Sequence, residues 1–293
     1  MKCPISISSF ARHVRDARVS GGSLARITGV SPVRMALSRK RPHFCKVHRT
    51  QHGRDARDTT MPFFRLAWYC LPFLILCALT ACADEKPPAK ENHGLPLLLH
   101  LDFSTGEAAT KNLTFTDKSA WKILEDDVNG KKQNVLALVQ QSDYKPPFRS
   151  PVNIAWINEL KVSSFVLEIK CRITKEKIPH RDLCFAFGGV DAGHFLYAHM
   201  AQEEDKIHNQ IHLVNGKDRA PVTVKRSTGT PWDEKYHTVK ITREDSGAAN
   251  VYFDDRLMMT TDRKDLPAGK LGFGSFDDIG NFAEVTVWGK KAE

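Results

Sequence analysis

The sequence predicts an all-β fold, an antiparallel two-sheet sandwich of the jelly-roll kind. Three observations predict it. Apolar and polar residues alternate in run after run, which is the period of a half-buried strand. Turn residues punctuate those runs at Asn129-Gly130, Gly188-Gly189, Asn215-Gly216, Ser246-Gly247 and Asp254-Asp255. No segment sustains a 3.6-residue amphipathic pattern over three turns. About ten short strands at such spacing indicate a sandwich or jelly roll.

The elements follow in order. Leu97–Phe103 and Val135–Gln140 supply early strands. Ser164–Thr174 is the clearest: Phe165, Leu167, Ile169, Cys171 and Ile173 fall on one face, Glu168, Lys170 and Arg172 on the other. Shorter runs follow at Leu183–Phe187, His194–Met200, Ile207–Val214, Pro221–Arg226, Tyr236–Arg243, Ala249–Phe253, Lys270–Phe276 and Phe282–Trp288. Together they place one jelly-roll domain at residues 96–290, with no internal repeat and no second domain.

What precedes the domain is of a different kind. Residues 61–83 carry one early positive charge (Arg65), an apolar run from Leu71 to Leu79 and a small-residue exit, the layout of a secretory signal peptide. The apolar run is shorter than the ~20 residues of a membrane span. Leu79-Thr80-Ala81-Cys82 resembles a bacterial lipobox with Cys82 as the lipid-modified residue, and Ala81-Cys82-Ala83 also fits ordinary cleavage before Asp84. Either exit puts the domain outside the cytoplasm, lipid-anchored or secreted. Residues 84–95 are polar and Pro-containing, a short tether.

Residues 1–60 hold 13 Lys/Arg against 3 acidic residues. A signal peptide works at an N-terminus, so these residues read as an untranslated or unstructured leader ahead of Met61. They account for the formal net charge of +9. Residues 84–293 are close to neutral and give no basic-patch argument for nucleic acid. Of seven cysteines, only Cys171 and Cys184 lie in the domain. They read either as one disulfide in an oxidising compartment or as two buried small apolar residues on neighbouring strands.

The stretch 232–276 carries a family resemblance. Trp232 precedes the alternating strand His237, Val239, Ile241, Arg243. A Gly turn, Val251-Tyr252-Phe253-Asp254-Asp255 and a Gly-rich strand follow. This resembles the concanavalin A-like lectin/glucanase group, including laminin G-like domains, and bacterial secreted domains of the 3-keto-disaccharide hydrolase type. The resemblance implies a jelly roll whose concave sheet binds carbohydrate. Fold alone assigns no activity.

The candidate ligand-binding residues are Tyr197, His199, His208, Gln210 and His212. Alternation places Phe195, Tyr197 and His199 on one strand face, and His208, Gln210 and His212 on one face of the next. If the strands are neighbours, an aromatic and several hydrogen-bonding groups converge, which suits a sugar ring and its hydroxyls. His208 and His212 lie about 13 Å apart on an extended chain, too far to share a zinc ion unaided. Gln210-Ile211-His212 resembles the Q-I-H element of jelly-roll alginate lyases, but the Tyr-bearing partner strand of that family has no counterpart. A glucanase strand with two carboxylates about 5 Å apart is also missing. No cofactor is expected, with calcium the ion for which carboxylates stand ready: Asp102 near the first strand and Asp277 or Asp278 near the last can meet if the terminal strands pair.

The sequence thus points to an extracytoplasmic binding domain whose partner is carbohydrate or an extracellular protein, and which touches a membrane only through a lipid at Cys82. A glycan-cleaving enzyme (3-keto-glycoside hydrolase-like, or less so a polysaccharide lyase) and a laminin G-type interaction module are the alternatives.

Overall fold

The structure is a computed structural model that describes residues 87–264 and 268–292. The basic leader, the signal peptide with Cys82, and the first residues of the tether lie outside the described residues.

The described chain forms sixteen strands, β1 (Glu91–Asn92), β2 (Leu95–Leu101), β3 (Leu113–Phe115), β4 (Trp121–Val128), β5 (Lys131–Leu138), β6 (Asn153–Ile173), β7 (Asp182–Asp191), β8 (His194–Ala201), β9 (Gln210–Asn215), β10 (Ala220–Pro221), β11 (Lys225–Arg226), β12 (His237–Arg243), β13 (Ala249–Phe253), β14 (Arg256–Thr261), β15 (Gly269–Ser275) and β16 (Gly280–Lys291). All pairings are antiparallel. The predicted all-β sandwich is what forms.

Strand β6 organises both layers. Its first half pairs with β15 and β3. Its second half pairs with β12 on one side and β16 on the other. One layer therefore runs β10-β9-β8-β7-β15-β6. The other runs from β6 through β12, β13, β14 and β11, and on its far side through β16 to β2 and to the β5–β4 hairpin. Glu159 takes a positive φ of 53° inside β6, where the strand turns from one layer to the other.

The core lies between the layers. The five predicted inward residues Phe165, Leu167, Ile169, Cys171 and Ile173 are all buried, and they face Leu183, Phe185 and Phe187 from β7. Phe165 meets Phe187 edge-on across the gap at 6.1 Å. Trp121 and Phe282 of one layer pack on Phe273 of the other at 6.2 and 4.8 Å. Such contacts fix the sheet separation and exclude water from the middle. The Gly-rich β15 is squeezed between β6 and β7: a Cβ on Gly274 would sit 1.9 Å from the carbonyl oxygen of Asn153. Only glycine permits that approach.

Several boundaries differ from expectation. β6 begins at Asn153 rather than Ser164, because Asn153, Trp156 and Asn158 break the apolar alternation there. β9 begins at Gln210 rather than Ile207, because Asp205 caps the backbone N–H groups of Ile207 and His208 at 2.6 Å each and holds them in a turn. The single strand expected at Pro221–Arg226 is two short ones, β10 on β9 and β11 on β14, so that segment crosses between layers. β4 and β14 are additional strands, each closed onto its neighbour by a hairpin turn. In the second turn Asp254 and Asp255 both take positive φ, 47° and 63°. No disulfide joins Cys171 to Cys184: both are free and buried. Cys171 faces the inter-sheet core, and Cys184 faces the outer side of its layer.

Candidate functional site

The outer face of β7, β8 and β9 is built by alternation. Leu196, Ala198 and Met200 point into the core, which sends Phe195, Tyr197 and His199 outward. Register puts Tyr197 opposite His212 and His199 opposite Gln210 on β9, with Cys184 of β7 opposite His199 on the other flank. The Tyr197 and His212 rings stack at 5.2 Å. Four of the five predicted site residues therefore meet on one sheet face. His208 does not belong to the strand. It sits in the turn before β9, yet its ring still comes within 5.2 Å of the His199 ring.

This face is roofed, which alternation alone does not reveal. Tyr197 and His212 are 0% exposed, His199 1% and Gln210 8%. Phe276 stacks on His199 at 5.8 Å, and the Arg219 guanidinium lies 4.1 Å over the Phe276 ring. Arg219 also donates to the Tyr197 hydroxyl at 3.1 Å. The result is a closed stack of Arg219, Phe276 and His199 rather than an open surface. Burial pushes the Tyr197 hydroxyl up. His212 Nε2 donates to the Ile207 carbonyl at 2.7 Å, and burial holds its imidazole neutral, down to about 3. Gln210 donates to the Lys206 carbonyl at 3.0 Å. Burial alone would raise the Asp205 carboxyl, but hydrogen bonds from His208 and Ile207 outweigh it and hold the group well below the usual range.

At the β7 end of this face the polar groups turn acidic. Asp182 is 2% exposed and Asp278 5%. Asp182 accepts from the Cys184 thiol at 3.3 Å, the Ser275 hydroxyl at 3.2 Å and the Phe276 N–H at 3.1 Å, and lies 3.1 Å from His199 Nε2. Asp278 accepts from the Asp182 N–H at 2.8 Å. Burial and the neighbouring Asp182 charge push the Asp278 carboxyl up to about 6. Asp277 and Asp278 thus gather with Asp182, their carboxylate oxygens within 4.8 Å of one another. Asp102 is not in that group; its carboxylate accepts instead from Ser104. The sequence-level pairing of Asp102 with Asp277 or Asp278 is replaced by this trio, because the strand before Asp277 is β15, whose neighbours are β6 and β7.

An open concavity lies on the other layer. A cleft of about 600 Å³ crosses the outer face of β12 and β13. Its floor is a four-residue square: register sets Lys240 opposite Tyr252 and Thr242 opposite Asn250. Lys240 Nζ sits 5.3 Å from the Tyr252 ring and pairs with Asp255. His93 and Leu95 line one wall, and Asp245, which accepts from Lys290 at 2.6 Å, lines another. All four floor side chains are half-buried. Sequence reasoning used this hairpin as a fold signature and missed its outward face. The signal was present: Lys240, Thr242, Asn250 and Tyr252 alternate with buried Val239, Ile241, Val251 and Phe253.

No family model matches the chain, and no curated protein matches it. Among solved structures, the chain is similar to a family 66 carbohydrate-binding module from Bacillus subtilis, with 18% identity, 60% of this chain and 95% of that one covered, and a TM-score of 0.41. It is similar to domain 4 of AbnA, an extracellular GH43 arabinanase from Geobacillus stearothermophilus, in complex with arabinotriose, with 11% identity, 67% and 94% covered, and a TM-score of 0.44. A conserved carbohydrate esterase from the Shiga toxin-encoding bacteriophage phi24B matches at 11% identity, with 68% and 100% covered and a TM-score of 0.42. These are likenesses of β architecture, and what those proteins bind or act on is theirs.

Proposed function

We propose that this chain is an extracytoplasmic β-sandwich domain that binds carbohydrate in the cleft over β12 and β13. The cleft carries the reading. It is open, about 600 Å³ in volume, and floored by an aromatic ring beside an ammonium, a hydroxyl and an amide. A sugar ring stacks on an aromatic face while its hydroxyls exchange hydrogen bonds with such groups. The square is rigid, because Val239, Ile241, Val251 and Phe253 anchor the same two strands in the core. In this reading the roofed face of Tyr197, His199, Gln210 and His212 is a support, and His208 helps close its rim. The signal-peptide layout of residues 61–83 supports delivery outside the cytoplasm, with Cys82 as the anchor if the lipobox is used.

A glycan-array screen of the purified protein, with and without calcium, tests this. Binding that Tyr252→Ala abolishes supports it. Binding lost in His212→Ala and kept in Tyr252→Ala moves the ligand to the roofed face. Each hit is also incubated and its products weighed. Asp278 is the group on which a cleavage reading would rest, since a carboxyl near 6 suits a general acid at neutral pH. Product formation lost in Asp278→Asn would replace the binding function with an enzymatic one. No glycan bound at all would leave the protein-interaction reading.

A further inference from the structure

We infer that Asp182, Cys184 and His199 form a site for one divalent transition-metal ion of the zinc class. The three ligand atoms, a carboxylate oxygen, a thiol sulfur and an imidazole nitrogen, lie within 4.8 Å of one another. Two strands fix them. Asp182 and Cys184 are alternate residues of β7 and share its outer face, and His199 is the register partner of Cys184 on β8.

The separations suit tetrahedral coordination. With metal–nitrogen and metal–oxygen bonds near 2.0–2.1 Å and metal–sulfur near 2.3 Å, ligand atoms stand about 3.3–3.7 Å apart. Here His199 Nε2 is 3.1 Å from one Asp182 carboxylate oxygen and Cys184 Sγ is 3.3 Å from the other, at or just under that span. The direction is as informative as the distance. Both ring nitrogens of His199 are buried and neither makes a directed hydrogen bond, although Nε2 is so close to Oδ2. An imidazole nitrogen and a carboxylate oxygen that approach without aiming at each other have the geometry of two ligands facing a third atom. A buried imidazole nitrogen whose one partner, the Asp182 carboxylate, lies off the hydrogen-bond direction is poorly satisfied, and coordination would relieve Nε2.

Charge supports the same assignment. Asp277 and Asp278 crowd Asp182, with a carboxylate oxygen of each within 4.8 Å of the others. A dipositive ion beside Asp182 would offset that repulsion. Binding replaces the thiol proton: sulfur forms a bond to the metal, and the proton leaves to solvent. A thiolate with an imidazole and a single carboxylate favours zinc-class ions over calcium, which takes six to eight oxygens. The other histidine group, His180, Asp205 and His208, has no thiol and is open to solvent, where the Asp182, Cys184 and His199 group is buried throughout.

The test uses the purified protein, unfolded and refolded with cobalt(II) or zinc, because the site is closed in the folded state. Metal analysis after desalting is expected to give about one ion per chain. The cobalt form is expected to show near-ultraviolet thiolate-to-metal absorption and visible bands of tetrahedral strength. Cys184→Ala should remove the thiolate band, and His199→Ala should lower occupancy at least tenfold. Cys171→Ala should leave both unchanged. Circular dichroism of each variant distinguishes loss of the site from loss of the fold. Should Cys184→Ala not refold, the wild-type spectrum against Cys171→Ala still decides, as does cobalt binding in Cys184→Ser. No retained metal, or retained metal whose spectrum lacks a thiolate band or keeps it in the Cys184 variants, overturns the assignment. Calcium bound in preference to zinc overturns it as well.

Discussion

Asp126 accepts a hydrogen bond from the Tyr236 hydroxyl at 2.6 Å, which ties β4 to the segment leading into β12 across 110 positions of sequence. The same carboxylate accepts from Asn281 of β16 at 2.6 Å and pairs with Arg172 of β6 at 2.7 Å. One acidic residue thus joins four parts of one layer at its rim. Arg172 also lies 5.2 Å over the Tyr236 ring.

This predicts a marked cost for Asp126→Asn. It leaves Arg172 without its partner charge and weakens two further hydrogen bonds, so a loss of about 1–3 kcal/mol is expected by urea unfolding. Tyr236→Phe should cost about 1 kcal/mol. The pH dependence has a definite sign. Burial would raise the Asp126 carboxyl, but Tyr236, Asn281 and Arg172 together hold it below its ordinary 3.8. A carboxyl depressed in the folded state contributes stability above its unfolded pKa and loses it as pH falls through the folded one. Wild type should therefore lose stability below about pH 4, and Asp126→Asn should lose less over the same range.

Tyr252→Ala is expected to lower affinity for a glycan ligand roughly tenfold, the worth of one stacked aromatic face. Its stability should change by less than about 1 kcal/mol, because the ring is half-buried and off the core. Titration calorimetry against any array hit, alongside thermal melting, separates the two effects.

Gly274→Ala should destabilise by at least about 1–3 kcal/mol, because its methyl group would meet the Asn153 carbonyl 1.9 Å away. Gly130→Ala is the comparison, since nothing lies within 4 Å of its Cβ position and only the positive φ of 89° is strained. The larger fall in melting temperature should belong to Gly274. Equal falls would mean that β6 and β15 can separate without cost.

A reducing agent should not change the melting temperature of metal-free protein. Cys171 and Cys184 point to opposite sides of their layers and are both free. A drop on adding dithiothreitol would show a bridge that this packing does not hold.

The fold was legible where one strand face is buried and the other is wet. Leu167 to Ile173 and Val239 to Arg243 alternate cleanly, because the core lies on one side only. Legibility failed at Asn153–Leu160, where Asn153, Ile154 and Ala155 are buried in succession and the positive φ of Glu159 shifts the phase. At the candidate site, alternation correctly joined Tyr197, His199, Gln210 and His212. It could not show the roof, because Phe276 arrives from the far end of β15 and Arg219 folds back from the β9–β10 turn, and period two distinguishes faces without saying what lies above them. His208 was misplaced for a local reason: the Asp205 cap ends the extended pattern one step too late to be seen in hydropathy. The cleft over Tyr252 and Lys240 was hidden differently. Its residues look like any solvated strand face until the flanking His93, Asp245 and Lys290 are folded around them.

The length of β6 has a consequence for how the molecule comes apart. Its residues supply hydrogen-bond partners to both layers, so neither can peel away without breaking the other's ladder. The layers should act as a single cooperative unit. Amides of Phe165–Cys171, paired on both sides, should exchange with solvent only when the whole domain opens, while those of the short edge strands β10 and β11 exchange by local fraying. A chain that must first place its central strand among partners more than a hundred residues away, as β6 is from β16, should also fold slowly for its size.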